Sequence, residues 1–127
     1  MEGPGSYDRR KLKRRSLSYY MLVLDARTQQ SIGHLVDITP LGLLMDSPQP
    51  LILEQNFRLR LDITPDLGEG DHITFIARSK WCTPDALEPF LYDVGFSIVE
   101  ITPHDAAILK RISEKYSARD GYSFPLN

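Results

Sequence analysis

FRLRLDI, residues 57–63, alternates without a break: Phe57, Leu59, Leu61 and Ile63 fall on one face of an extended chain, and Arg58, Arg60 and Asp62 on the other. Side chains of a β-strand alternate with period two, so this stretch predicts a strand with one face in a core and the other in water. Downstream, TPDLGEGD (64–71) reads as a turn and HITFIARSKWC (72–82) as a second strand. TPDALEP (83–89), with two prolines, reads as a loop. FLYDVGFSIVEI (90–101) then places Phe90, Tyr92, Val94, Phe96 and Ile98 on one side. Upstream, GLLM (42–45), IGHLVDI (32–38) and LSYYMLVLDA (17–26) complete a set of six strands. The polar turn ARTQQS (26–31) and the corner DITPLG (37–42), with Pro40 and Gly42 as punctuation, connect them.

The period changes at Thr102. Thr102 can cap a helix, Pro103 suits its first position, and Asp105 favours its positive end. Ile108, Leu109, Ile112 and Tyr116 then share one face of a helix of about four turns, with Lys110, Arg111 and Lys115 outside or near its C-terminal end. Six short strands with turns at about ten-residue intervals predict an antiparallel barrel or sandwich. Barrel closure would also remove exposed sheet edges. The class is therefore mainly β with a C-terminal α-helix.

With 127 residues, 42% hydrophobic and 25% charged, the chain fits one globular domain. Its longest apolar run, Met21 to Leu24, is far too short to span a bilayer, and no charged segment leads into an apolar stretch, so neither a membrane partner nor a secretory leader is expected. Cys82, the sole cysteine, cannot form an internal disulfide, which suits the cytoplasm. One cysteine and three scattered histidines give no basis for a structural zinc site. The charge is uneven. Residues 1–15 carry six basic and two acidic groups (+4), and the remainder nine basic and fifteen acidic groups (−6). A basic arm on an acidic body points to a local anionic partner.

Catalytic signatures are missing from the sequence: it has no GxSxG, GxxxxGK[ST], HExxH or GxGxxG. His34, His72 and His104 read as isolated, Cys82 as a small buried hydrophobe, and Asp85 and Glu88 as a weak candidate acid pair in a loop. No enzyme and no cofactor are expected.

Two elements carry the functional reading. RKLKR (10–14) is an RxxxR unit just before the first strand, and DITPLG (37–42) is a DxTxxG unit at a corner, with twenty-three residues from Arg14 to Asp37. Together with RSKWC (78–82), YDVGFSIVEI (92–101) and ITPHDAAILKRI (101–112), they resemble the PilZ domain family in motif order, spacing and strand context, over roughly residues 9–116. The resemblance implies a six-stranded antiparallel β-barrel that binds the second messenger cyclic di-GMP. Residues 1–8, small, polar and glycine-rich, read as a disordered segment, residues 9–117 as the PilZ-like domain with its basic arm, and residues 118–127, without clear periodicity, as a tail.

The residue chemistry agrees with that ligand. Arg10 and Arg14 can fork onto guanine O6 and N7 or onto phosphate oxygens, which lysine cannot do with one planar group. Asp37, ionised, accepts from guanine N1–H and N2–H₂. Thr39 stands where the family usually has serine; it keeps the hydroxyl and adds a stiff methyl. Gly42 permits a positive φ or a close backbone approach. Arg9, Lys13, Arg15 and Trp81 are secondary candidates, Trp81 with its ring partly in the core. The competing reading of DITPLG is a plain strand-ending turn in which Asp37 bonds the local backbone. On the leading reading the protein changes shape on binding and signals to a downstream protein. The alternatives are an interaction module like the nucleotide-free PilZ-like proteins of pilus assembly, and a single-stranded nucleic-acid binder stacking bases on Tyr19 or Tyr20. The acidic body argues against nucleic acid.

Overall fold

The computed structural model describes residues 21–116. Six strands form a closed antiparallel barrel: β1 (Leu22–Asp25), β2 (Ser31–Thr39), β3 (Gly42–Ser47), β4 (Asn56–Asp62), β5 (His72–Pro84) and β6 (Tyr92–Glu100), in the order β1-β2-β3-β6-β5-β4. One helix, α1 (Pro103–Tyr116), follows. Closure leaves no free sheet edge among these strands, which settles barrel over sandwich.

The alternation of residues 57–63 is realised. Leu59, Leu61 and Ile63 are buried and Phe57 packs against the same core, while Arg58 and Asp62 are exposed. Phe57 meets Phe96 of β6 edge to face, with ring centroids 5.9 Å apart, the arrangement that aromatic quadrupoles favour. The barrel interior is filled by Val23, Leu35, Ile38, Leu43, Met45, Phe75 and Val94 among others. Ile108, Leu109 and Ile112 of α1 belong to the same cluster, so the helix seals an end of the barrel. Its N-terminus is capped as its sequence predicts: Thr102 Oγ1 accepts the Asp105 N–H at 3.2 Å. Asp105 in turn accepts the Thr74 N–H of β5 at 3.2 Å, tying helix to sheet.

Several sequence expectations need correction. Among the described residues the first strand runs Leu22–Asp25 and stops before Ala26, where the Asp25 carboxylate accepts the Arg27 N–H at 2.8 Å and turns the chain; residues 17–20 of the expected strand lie outside the described residues. Phe90 is not on the strand and is 83% exposed. The cause is Asp85, whose carboxylate accepts the N–H groups of Leu87 (2.8 Å) and Glu88 (3.0 Å), while its own N–H donates to the Leu91 carbonyl at 2.9 Å. This closes a loop through residue 91, and β6 starts only at Tyr92. Asp85 is thus a turn-former rather than half of an acid pair. The layout expected for 1–8, for the basic arm and for 118–127 lies outside the described residues.

Four register shifts interrupt the ladders, one between β1 and β2, one between β2 and β3 and two between β5 and β6. Two of them set the geometry of the outer face. Between Leu35 and Asp37 an extra residue enters β2, so Leu35 and Ile38 both reach the core and Val36 and Asp37 together occupy the outside. Between Ser79 and Trp81 an extra residue enters β5, and Lys80 and Trp81 share the outside in the same way. A bulge re-aims side chains by this two-against-one pairing.

Candidate functional site

The two bulges lie on strands flanking β3 and β6, and the ladder between them brings four residues into one cross-strand row. Asp37 of β2 pairs with Leu44 of β3, Leu44 with Gly95 of β6, and Gly95 with Trp81 of β5. A second row reads Thr39, Gly42, Ser97 and Arg78, and a third His34, Asp46, Asp93 and Thr83. Three interstrand steps of about 4.8 Å make each row about 14 Å long.

At the corner, Thr39 Oγ1 accepts the N–H of Leu41 at 3.1 Å and of Gly42 at 3.3 Å, and donates to the Gly42 carbonyl at 3.4 Å. The hydroxyl therefore builds the turn that joins β2 to β3. Gly42 is buried in the ladder, paired with Thr39 and with Ser97, and its φ is not positive; among the described residues Gly70 is the one glycine in that region, at 92°. Of the two uses read for Gly42 in the sequence, a positive φ or a close backbone approach, the positive φ is not realised. Asp37 is only 6% exposed, and its Oδ1 accepts the N–H of Ile38 at 2.8 Å. The local backbone bond anticipated as the competing reading is present.

Trp81 does not belong to the barrel core. It packs on Val36 and Leu44, which are 2% and 4% exposed and form a separate apolar cluster on the outside of the sheet. Its indole lies across Gly95: a Cβ added there would sit 2.3 Å from Nε1 and 2.4 Å from Cε2. Any side chain larger than hydrogen at position 95 displaces the ring. Leu44, Gly95 and Val36 are site-forming residues that the sequence does not announce, because each matters through a cross-strand neighbour far away in the chain.

The cations nearest the row are engaged. Glu54, in the loop before β4, accepts from Lys80 Nζ at 3.2 Å and from Arg78 Nε at 3.0 Å, and Arg78 also reaches Asn56 Oδ1 at 3.0 Å. The Lys80 and Arg78 hydrogen bonds hold the Glu54 carboxyl below its ordinary pKa. On the third row His34 Nδ1 stands 3.6 Å from Asp46 Oδ2, and elsewhere His72 contacts Asp71 at 2.6 Å and His104 contacts Asp105 at 2.9 Å. The histidines are therefore not isolated from carboxylates. No group of three or more metal-ligating side chains occurs among the described residues. Cys82 is half-buried against the core. No described helix is long and apolar enough to cross a membrane.

Of the site residues read from the sequence, Asp37, Thr39, Gly42 and Trp81 lie on one face of the β2-β3-β6-β5 sheet. Arg9, Arg10, Lys13, Arg14 and Arg15 lie outside the described residues, as do Tyr19 and Tyr20. Comparison with protein-family models, with curated proteins and with solved structures returned no match.

Proposed function

We propose that the chain is a cyclic di-GMP receptor of the PilZ kind, without catalytic activity, acting in the cytoplasm on a downstream protein. The observation that carries this reading is the row Asp37–Leu44–Gly95–Trp81, which gathers a guanine-edge acceptor and an aromatic platform onto one face although they are remote in sequence. A row of about 14 Å is long enough for a ligand with two purine bases. Trp81 offers a ring face for stacking, and Asp37 an acceptor for guanine N1–H and N2–H₂. Thr39 and Gly42 hold the corner that positions Asp37. Since Arg78 and Lys80 are committed to Glu54, the cations for the two phosphates come from the RxxxR unit. Arg10 and Arg14 carry that role by charge-assisted, planar contacts, with Arg9, Lys13 and Arg15 as auxiliary charges.

Calorimetric titration of the full chain with cyclic di-GMP, with GMP and with a short single-stranded oligonucleotide tests the reading. Saturable heat with cyclic di-GMP, much weaker response to GMP and none to the oligonucleotide is the expected pattern. Binding of the oligonucleotide alone would assign a nucleic-acid module. Silence with all three would assign a protein-interaction module.

A further inference from the structure

A concave region lies beside β4, outside the three rows of that face. The loop joining β3 to β4 and the ends of β1 and β4 border a half-open groove of about 580 Å³, within the range that takes small organic ligands. Its lining divides by chemistry. Phe57, Leu51, Ile52 and Ile76 are apolar, whereas Arg27 and Arg58, with one acidic neighbour in Asp25, bring a net positive charge to the same space. The division stands out on a chain whose residues beyond the first fifteen carry a net charge of −6.

The walls are held in place. Phe57 is locked by its edge-to-face contact with Phe96. Ser79, wholly buried, anchors the loop: its hydroxyl donates to the Ile52 carbonyl at 2.7 Å and accepts the Gln55 N–H at 3.2 Å, while its backbone bonds Glu54 and Gln55 at 2.7 and 3.0 Å. Glu54 sits at a φ of 58°, a left-handed conformation that a non-glycine residue holds at a cost and that this anchoring fixes. Ile52, with its carbonyl bound to Ser79, is nevertheless 73% exposed. A fixed loop that presents an isoleucine beside an apolar hollow leaves apolar surface for something else to cover.

The two arginines define what that is. Arg58 makes no ion pair among the described residues, and Arg27 stands 3.8 Å from the Asp25 carboxylate, whose nearer oxygen already accepts a backbone N–H. Both guanidinium groups retain donors for an anion, and a guanidinium fork matches a carboxylate. We propose that this groove binds an amphipathic carboxylate, a medium-chain acyl anion in chemical class, with its chain over Phe57, Leu51, Ile52 and Ile76 and its head between Arg27 and Arg58. The site borders the β2-β3-β6-β5 face at Ile76 of β5 but contains none of the residues of its three rows, and it does not depend on nucleotide binding there.

Octanoate and octanol, titrated into the ¹⁵N-labelled full chain, test it. Octanoate should give saturating amide shifts at residues 50–58 and 76, and octanol should bind about tenfold more weakly or worse for want of the head group. The double variant Arg27→Gln, Arg58→Gln, altered only at exposed positions, should keep the wild-type spectrum and lose octanoate affinity by about tenfold or more. Absence of saturating shifts at millimolar octanoate overturns the site. Equal binding of acid and alcohol, or undiminished binding in the variant, overturns the assignment of the arginines and with it the ligand class.

Discussion

Asp37 shows how one residue serves the fold and, under the proposed function, the ligand. Its Oδ1 accepts the Ile38 N–H, so removing the carboxylate strips a buried backbone donor of its partner. Asp37→Ala should therefore lower stability by about 1 kcal/mol as well as abolish ligand affinity, a mixed result. Asp37→Asn separates the two roles. An amide oxygen can still accept from Ile38, but it cannot offer two acceptors to the guanine N1–H and N2–H₂ pair. The asparagine variant should melt with the wild type and bind cyclic di-GMP poorly; unchanged affinity would leave Asp37 with its structural role alone. Arg14→Ala should weaken binding by about 1.5–3 kcal/mol, the scale of hydrogen bonds to charged groups, and Arg14→Lys should not restore it because lysine lacks the planar fork. Full recovery in the lysine variant would mean that charge suffices. Gly95 offers a test that involves no polar contact at all. Gly95→Ala puts a methyl into the Trp81 indole, so the ring must leave the row. The emission of this lone tryptophan should shift in the free protein, and nucleotide affinity should fall with it.

The elements differ in how openly the sequence declares them. Residues 57–63 could be read at once because the two faces of β4 meet opposite media, core and water. Helix α1 was equally legible, since its cap, its first-turn aspartate and its apolar stripe agree with one another. Bulges are a different matter. Nothing within IGHLVDI says that Val36 and Asp37 lie on one side, because the extra residue is defined by what β3 pairs with. The apolar alternation also ran one residue pair too far at Phe90, where the Asp85 turn overrides it. Leu67 was missed for the opposite reason: it lies in a glycine-bearing turn, yet it is wholly buried in the core. That turn is latched to α1. Arg111 donates to the Leu67 carbonyl at 2.6 Å, and Lys115 pairs with Asp66, which Thr64 also contacts. The Lys115 ammonium, then the Thr64 hydroxyl, hold the Asp66 carboxyl down at about 2. A carboxyl depressed in the folded state contributes stability that is present above its ordinary value near 3.8 and is lost as pH falls through about 2. Carboxyl shifts followed by NMR should place the Asp66 midpoint near 2, and Lys115→Met should return it toward 3.8. An unmoved midpoint would assign the depression to Thr64.

For the molecule as a whole, closure of the barrel matters more than any single strand, and the ladders that close it are unequal. β5 and β6 stay paired from Ile76–Glu100 to Pro84–Tyr92, and β3 and β6 from Gly42–Ser97 to Ser47–Tyr92. β1 and β4, among the described residues, meet only at Leu24–Arg60 and Asp25–Leu59, with the Ala26 N–H donating to Arg58 just beyond. Among the described strands β1 is also the shortest, and it joins β2 through a register shift between Val23 and Leu24. Local opening takes the route that breaks the fewest cooperative bonds and exposes the least apolar surface. The barrel should therefore open first at the β1–β4 seam. By contrast, the β3-β6-β5 sheet, which carries Leu44, Gly95 and Trp81, should open only with global unfolding. Native-state amide exchange measures this directly: β1 amides and the β4 amides that face them should exchange with a lower opening free energy than those of β5 and β6. Leu59→Ala should lower the global value by about 2–5 kcal/mol without changing that order, because it removes core volume rather than a ladder. If β1 exchanges together with β5 and β6, the barrel opens as one cooperative unit. In that case a conformational response to ligand could not originate at the seam.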